Sequence, residues 1–252
     1  MGRTLDTNSN WIAKRVTSLG GRTSRVVVVD DDVPSIVREI ETARSNQVRV
    51  IITTGGLGPT ADDKTLVAVA EATDHPLTLD PHALDFVRSR YQFFRRKGFV
   101  DSDRMTPSRR KMAMIPEGSQ FLRNSVGGAP GVHLEMGDFS IFSIPGVPRE
   151  MRTIFEEEMV EILKAVFGKK VFVEKTITTP IKDESQLGDI LNGVMKQIPR
   201  VYLKSRPTHF GKNVQIDVTL TASGDDRNEV AEQIRKAIRK IREKIGKDVR
   251  QN

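Results

Sequence analysis

The sequence has 252 residues, with 40 Lys and Arg against 33 Asp and Glu, which gives a formal net charge of +7. Because 37% of the residues are hydrophobic and 29% are charged, the composition excludes disordered and fibrous proteins, and the length allows one large domain or two smaller ones. The absence of cysteine excludes disulfides, thiolate catalysis, Cys-ligated zinc and iron–sulfur clusters. No stretch is apolar enough to span a bilayer, so we expect a soluble, cytoplasmic protein with no membrane partner.

The first third of the chain alternates between helix and strand patterns. Periodic apolar residues predict helices over residues 8–19, from Asp32 as N-cap to about residue 45, and over 64–72. Runs of β-branched residues predict strands over 25–29 and 48–54. This β-α-β-α order predicts an α/β fold with a mostly parallel sheet, whose ligands bind beyond the carboxyl ends of the strands.

The rest of the chain divides near Gly168. Residues 80–111 are helical in pattern and basic, 118–131 are rich in turn residues, and a strand over 139–144 precedes a helix over about 149–167. After Gly168 the pattern predicts a strand over 171–179, a helix over 184–198, strands over 201–204 and 214–221, and a long last helix. We therefore predict an α/β domain over 1–168 and a small α+β domain over 169–252.

The most informative motif is the loop TGGLGPTADD, which ends at Asp63 and lies between a predicted strand and a helix N-terminus. Its glycines allow close backbone approach to a ligand, and the free N–H groups of a helix start attract phosphate or carboxylate. The loop fits neither a Walker A motif nor a complete GxGxxG fingerprint. The alternative is an ordinary turn with Thr60 or Asp62 as the helix N-cap, but the convergence of glycines, a proline and acids favours a binding site.

Two acidic clusters follow the first two predicted strands. Asp30–Asp32 ends one strand, and Asp62 and Asp63 lie in the glycine loop after the other. In a parallel sheet both clusters reach the same edge, where carboxylates suit Mg²⁺ or Mn²⁺ bound to phosphates. Asp32 and Asp62 are better explained as helix caps, which leaves Asp31 and Asp63 as the functional candidates.

Two further loops have similar chemistry. SIPGVPREM, over 143–151, carries Glu150 in the first turn of a helix and could form the opposite wall of a pocket, or be a rigid turn. NSVGGAPG, over 124–131, has glycines that would let another loop approach a ligand, but by itself it is weak evidence for a binding site. The basic stretches 88–111 and 227–250 invite a nucleic-acid interpretation, but their apolar residues have helical spacing, so a solvated basic face is the better account. The four histidines have no metal-ligand spacing.

Taken together with GRTLDTNSNWIA, these loops resemble the molybdopterin-binding-type domain of the CinA (competence/damage-inducible) family, a fold shared with the molybdopterin adenylyltransferases and gephyrin-like proteins. The tail, with DESQLGDIL, VYLKSRP and VTLTASG, looks like the small KH-like domain of CinA proteins. The resemblance implies a three-layer α/β domain followed by that KH-like domain. The family pattern places a strand before GRTLDTNS, so we expect either that the sequence starts too late to include this strand or that the sheet tolerates its loss. We also expect the family's C-terminal amidohydrolase domain to be missing, and therefore no activity on nicotinamide mononucleotide.

The resemblance also implies a site and an activity. Asp63 and Asp31 would be the catalytic and metal-binding acids, with Mg²⁺, Mn²⁺ or Co²⁺ as cofactor, and the metal-dependent hydrolysis of ADP-ribose to AMP and ribose 5-phosphate would be the reaction. The residues expected to bind substrate and phosphate are Asn8, Gly55, Gly56, Gly58, Pro59, Thr60, Gly128, Gly146, Pro148 and Glu150.

The alternative is a molybdopterin- or nucleotide-binding protein without hydrolase activity. A nucleic-acid partner is not expected, because residues 184–252 contain no GxxG loop. Relatives form dimers or trimers, so a homo-oligomer is expected.

Overall fold

A computed structural model describes residues 5–137, 139–168, 170–207, 215–246 and 250–251. Contacts between residues divide the chain into two compact units. Unit 1 comprises Met1–Ile12 and Ser24–Ile162, and unit 2 comprises Ala13–Thr23 and Leu163–Asn252. Among the helices that the structure describes, none is long and apolar enough to cross a membrane.

The helices and the strands of the described residues are given below as two sets, each in chain order. The helices are α1 Thr7–Ser18, α2 Val33–Ser45, α3 Thr65–Thr73, α4 Pro81–Arg96, α5 Pro107–Lys111, α6 Pro148–Ile154, α7 Val160–Phe167, α8 Glu184–Gln197 and α9 Arg227–Ile245, with a π-helical turn Phe155–Met159 between α6 and α7. The strands are β1 Val50–Thr54, β2 Leu77–Leu79, β3 Met114–Pro116, β4 Gln120–Leu122, β5 Gly131–Met136, β6 Phe139–Ile144, β7 Val171–Thr179, β8 Val201–Pro207, β9 Ile216–Gly224 and β10 Arg250–Gln251.

Unit 1 is built on a sheet with the strand order β1-β6-β5-β4. Strand β1 is parallel to β6, whereas β6 is antiparallel to β5 and β5 to β4. The predicted α/β fold is confirmed, but the sheet is mixed rather than mostly parallel. The reason is connectivity: β4, β5 and β6 follow one another closely in the chain, as antiparallel neighbours do, and β1 reaches β6 only after a long excursion.

Helices α2 and α3 cover this sheet. Ile40 and Val69 pack with Leu134 and Ile141 in one buried cluster, which fixes both helices on β5 and β6. Asp32 caps α2 as predicted, since its carboxylate accepts a hydrogen bond from the Ser35 N–H at 3.1 Å. The core of unit 1 thus holds the strand ends at which the glycine loops begin.

Two predicted elements of unit 1 need correction. Residues 25–29, expected to be a strand, have no regular secondary structure, and Val26 and Val28 are 54% and 83% exposed. A β-branched run becomes a strand only where a neighbour pairs with it, and the described chain supplies no such neighbour. The helical stretch expected over 80–111 is two helices, because α4 ends before Gly98, which has a left-handed φ of +71°.

Unit 2 has a sheet of its own with the order β10-β7-β9-β8, in which every described pair is antiparallel. Helix α9 packs against β7 and β9, and α8 packs against β8. Leu191, Val218, Ile234 and Ile241 belong to its buried core. The predicted second, small α+β domain is confirmed, and its likeness to KH domains stays a prediction.

Candidate functional site

Two glycine loops meet where the parallel strands β1 and β6 end. The register pairs Thr54 with Ile144, so both loops leave the sheet at the same edge. The N–H of Gly55 donates to the carbonyl of Ile144 at 2.9 Å. A Cβ added to Gly146 would lie 3.3 Å from the Cα of Gly55. The two backbones therefore run side by side, as expected for two walls of one site.

The first loop needs glycine for its conformation. Gly55 and Gly56 have φ angles of +97° and +69°, in the left-handed region that L side chains rarely adopt. The hydroxyl of buried Thr65, the first residue of α3, donates to the carbonyl of Gly55 at 2.9 Å. A Cβ on Gly56 would overlap that hydroxyl. Thr65 thus ties the loop to the helix start, a role that its sequence position did not signal.

Asp63 closes the same loop. Its Oδ2 accepts hydrogen bonds from the Thr60 N–H, at 2.9 Å, and from the Thr60 hydroxyl. Lys111 Nζ donates to the carbonyl of Asp63 at 2.6 Å and to that of Thr60. The loop therefore continues through Asp63, and α3 has Lys64 at its N-cap with no side-chain cap. The prediction that Asp62 caps the helix is therefore wrong, and so is the alternative that Thr60 caps it.

The hydrogen bonds of Asp63 keep its carboxyl ionised. Burial is the largest single influence and opposes ionisation, but the hydrogen bonds from Thr60 and from the N–H of Gly58, together with the charge of Lys111, outweigh it and lower the pKa of Asp63. The carboxylate is thus a fixed negative charge that the loop's own donors hold in place.

The other predicted metal ligand lies in a different environment. Asp31 is exposed, at the end of the irregular segment before α2. Over the part of the chain that the structure describes, no three acidic or histidine side chains come together in a way that could hold a metal ion. The metal-binding roles of Asp31 and Asp63 stay predictions.

A second polar cluster organises the loop after β4. Asn124 is fully buried. Its Nδ2 donates to the Ala129 carbonyl at 2.8 Å and to Glu150 Oε2 at 2.6 Å, and its Oδ1 accepts from the N–H groups of Gly127 and Val126 at 2.7 and 3.2 Å. A Cβ on Gly127 would overlap the Glu150 carboxylate. Glu150, in the first turn of α6, therefore holds this loop through Asn124.

Arg90 reaches the same loop from α4. Its Nε donates to the carbonyl of Gly127 at 2.7 Å, and its guanidinium lies 5.0 Å from the ring centroid of Phe94. Burial lowers the pKa of Arg90, the charge of Glu150 opposes that shift, and Arg123 adds to it. A Cβ on Gly128 would lie 3.2 Å from the Phe94 ring. Arg90 and Lys111, which the sequence placed on a solvated basic face, instead bind loop carbonyls.

Asn8 connects α1 to the second strand end. Its Nδ2 donates to the Gly146 carbonyl at 2.8 Å, and Asp6 positions this turn by accepting from the Ser9 N–H at 2.9 Å. Asn8 Oδ1 and Thr53 Oγ1 are buried with no hydrogen-bond partner among the described residues. Buried polar atoms nearly always have a partner, so these two atoms are exceptions within the described residues of the strand-end region.

The predicted site residues fall into three groups. Asn8, Gly55 and Gly146 meet at the strand ends. Gly58, Thr60 and Asp63 form the closed loop that also contains Pro59. Glu150 and Gly128 lie at the cluster around Asn124, while Pro148 is exposed at the start of α6.

A cavity of about 120 Å³ lies beside the closed loop, lined by Gly56, Gly58, Asp63, Lys111 and Met112 among others. Small-molecule sites usually enclose about 300 Å³ or more. The cavity therefore accommodates a fragment of a ligand rather than a whole nucleotide.

Comparison with known proteins shows which family this chain is similar to. Residues 1–165 match the model of a family described as a probable molybdopterin binding domain. Protein PH0439 of Pyrococcus horikoshii is 39% identical over 215 residues, which cover 85% of this chain and 82% of that protein. A protein of Aeropyrum pernix is 38% identical over 244 residues, or 96% and 88% of the two chains.

Among solved structures, the protein CinA of Thermoplasma acidophilum is similar to this chain, with a TM-score of 0.58 and 32% sequence identity over 64% of this chain and 89% of that one. Because the family model spans more than half of the chain and the CinA structure is covered almost throughout, this chain belongs to the family of probable molybdopterin-binding domains and is a relative of CinA.

Proposed function

We propose that the ends of β1 and β6 bind the phosphate-bearing part of a pterin or an adenine nucleotide. The main support for the proposal is the parallel register of β1 and β6, which places the backbones of Gly55 and Gly146 side by side. Glycine loops at adjacent strand ends let backbone N–H groups approach a phosphate without side chains in the way. The buried, unpaired Asn8 Oδ1 and Thr53 Oγ1 are polar atoms that a bound ligand can pair with.

Binding is favoured over hydrolysis by the state of Asp63. A divalent metal that activates water needs several oxygen ligands from the protein or the substrate. Asp63 Oδ2 is already an acceptor for the Thr60 N–H and hydroxyl, and the described residues offer no cluster of three ligands. The described residues therefore do not build a metal centre by themselves, and a divalent ion at Asp63 would have to be held largely by substrate phosphates and water. Hydrolysis of ADP-ribose-like dinucleotides is the alternative, and the following experiment distinguishes it from binding alone.

Titration calorimetry of the full chain with ADP-ribose, AMP and inorganic pyrophosphate, with and without Mg²⁺, tests the proposal. We expect one of these phosphates to bind, and chromatography of the same mixtures to show no AMP formed from ADP-ribose. Formation of AMP would establish the hydrolase alternative. Absence of binding by all three ligands would overturn the proposed site for adenine nucleotides and leave only a pterin ligand to be tested in the same way.

A matched pair of variants locates the ligand. Asn8→Ala removes the bond to the Gly146 carbonyl and the unpaired Oδ1, whereas Asn10→Ala changes an exposed residue of the same helix. We expect Asn8→Ala to weaken binding about tenfold, as expected for the loss of one or two ligand hydrogen bonds, and Asn10→Ala to leave it unchanged. Equal affinity of the two variants would place the ligand elsewhere.

A further inference from the structure

Unit 2 contains a groove that takes no part in the proposed phosphate site. It lies between α9 and the outer edge of β7 and has a volume of about 620 Å³. We call it the α9–β7 groove. Its lining includes Val173, Lys175, Ile234, Arg235, Ile238 and Arg239. The groove is large enough to take several side chains of a binding partner, since small-molecule sites begin at about 300 Å³.

One wall of the groove is an open sheet edge. On its inner side β7 pairs with β9 along its whole length, from Val171 opposite Gly224 to Thr179 opposite Ile216. On its outer side β10 pairs only with Ile177 and Thr178. Within the described residues, positions 171–176 therefore have no strand partner on the outer side. Alternate residues of such an edge point N–H and C=O groups outward, where another extended chain can pair with them.

The floor and the rim of the groove differ in character. Ile234 and Ile238, 2% and 6% exposed, form an apolar floor together with partly buried Val173. Lys175, Arg235 and Arg239 add positive charge. A single carboxylate, Glu232, lies 2.8 Å from Arg235 and 3.6 Å from Arg239. One acid shared by two guanidinium groups leaves the rim with a net positive charge.

We infer that the α9–β7 groove binds an acidic, extended segment of a partner protein, which adds to the edge of β7 as a further strand. In a strand, side chains alternate between faces. Apolar side chains of the segment would pack against partly buried Val173, and carboxylates beside them would pair with Arg235 and Arg239. The backbone of the segment would satisfy the open edge over residues 171–176, so sequence specificity comes from alternating apolar and acidic positions.

The same features favour a peptide over single-stranded nucleic acid. Proteins that bind single strands without sequence preference stack bases on aromatic side chains, and none of the residues that line the groove is aromatic. An open backbone edge is a complementary surface for a peptide but not for a sugar-phosphate chain. Lys175 on the edge also disfavours addition of a basic strand, which is how edge strands usually avoid unwanted pairing.

Fluorescence polarisation with the full chain tests the inference. The probe is a labelled short peptide that alternates valine and glutamate, and the reference peptide replaces each glutamate by lysine. We expect only the acidic peptide to bind, and methylation of its backbone nitrogens to weaken binding at least about tenfold, because strand addition depends on backbone hydrogen bonds. Hydrogen exchange should slow at residues 171–176 in the complex.

A charge-reversal pair supplies the control on the protein side. The double variant Arg235→Glu and Arg239→Glu should lose about tenfold or more in affinity, since it replaces complementary charges by repulsive ones. Lys236→Glu changes an exposed residue of the same helix that does not line the groove, and should bind as the unchanged protein does. The inference is overturned if the acidic peptide does not bind, if the lysine peptide binds equally well, or if single-stranded RNA binds more tightly and competes with the peptide.

Discussion

Replacing Asn124 by alanine tests whether one buried amide holds the loop after β4. The side chain makes hydrogen bonds to Ala129, Glu150, Val126 and Gly127. A neutral hydrogen bond contributes about 1 kcal/mol net, and one to a charged group about 2 kcal/mol. The sum is about 5 kcal/mol, and rehydration of half-buried Glu150 recovers part of it. We expect Asn124→Ala to lower the free energy of unfolding of unit 1 by about 3–5 kcal/mol.

The protein carries its own reporter for this measurement. Trp11 is the only tryptophan, and its ring meets that of Phe155 edge-on, with the centroids 5.2 Å apart. Both residues belong to unit 1, so urea unfolding followed by tryptophan fluorescence reports on this unit. The control is Gln92→Ala, which changes an exposed residue of α4 in the same unit and should alter stability by less than about 0.5 kcal/mol.

A second substitution at the same position separates hydrogen bonding from packing. Asn124→Asp keeps the shape of the side chain but sets a carboxylate oxygen against Glu150 Oε2, at the 2.6 Å now bridged by an N–H. We expect strong destabilisation at neutral pH that shrinks in acid, where protonation of one carboxylate removes the repulsion. A loss below about 1 kcal/mol for Asn124→Ala would refute the reasoning, because one lost hydrogen bond alone explains a loss of that size.

Two further predictions concern glycine and pH. Gly127→Ala should destabilise the protein by about 2 kcal/mol or more, because the new methyl group overlaps the Glu150 carboxylate. Gly188→Ala, in α8 with no atom within 4 Å of its Cβ position, should instead stabilise it by up to about 1 kcal/mol. Thermal unfolding followed by circular dichroism measures both changes, and a loss of stability in both variants would contradict the comparison. The carboxylate of Asp63 should stabilise unit 1 fully above its ordinary pKa of 3.8 and lose that effect as the pH falls through its lowered folded pKa. The stability difference between the unchanged protein and Asp63→Asn, measured by urea unfolding from about pH 6 to about pH 2, should therefore be largest at the upper end of this range and shrink as the pH falls. A difference independent of pH would contradict this expectation.

The elements that sequence patterns predicted best are those fixed by local chemistry. Asp32 caps α2 because a β-region aspartate before Val33 and Pro34 satisfies the Ser35 N–H whatever surrounds it. The apolar stripe of α9, which includes Ile234 and Ile241, likewise determines its buried face without knowledge of its partners.

The elements that the sequence did not predict depend on distant partners. Residues 25–29 have the composition of a strand but no neighbour in the described chain to pair with. Arg90 and Lys111 have helical spacing and charge typical of a solvated face, yet each donates to a loop carbonyl many residues away. Asn124 was visible as the first residue of NSVGGAPG, but nothing in the motif indicated its bond to Glu150.

The exposed valines at 26–29 bear on the colloidal behaviour of the protein. A short, β-prone apolar run open to solvent is a seed for intermolecular association. Here Arg22 and Arg25 precede the run and Asp30, Asp31 and Asp32 follow it, and charges in such flanking positions oppose the stacking of identical segments. Because salt screens charges over about 10 Å at 0.1 M, the protein should remain dispersed at low ionic strength and associate as salt is added. We therefore expect the aspartates after this segment to oppose association whether or not they also bind a metal or a substrate.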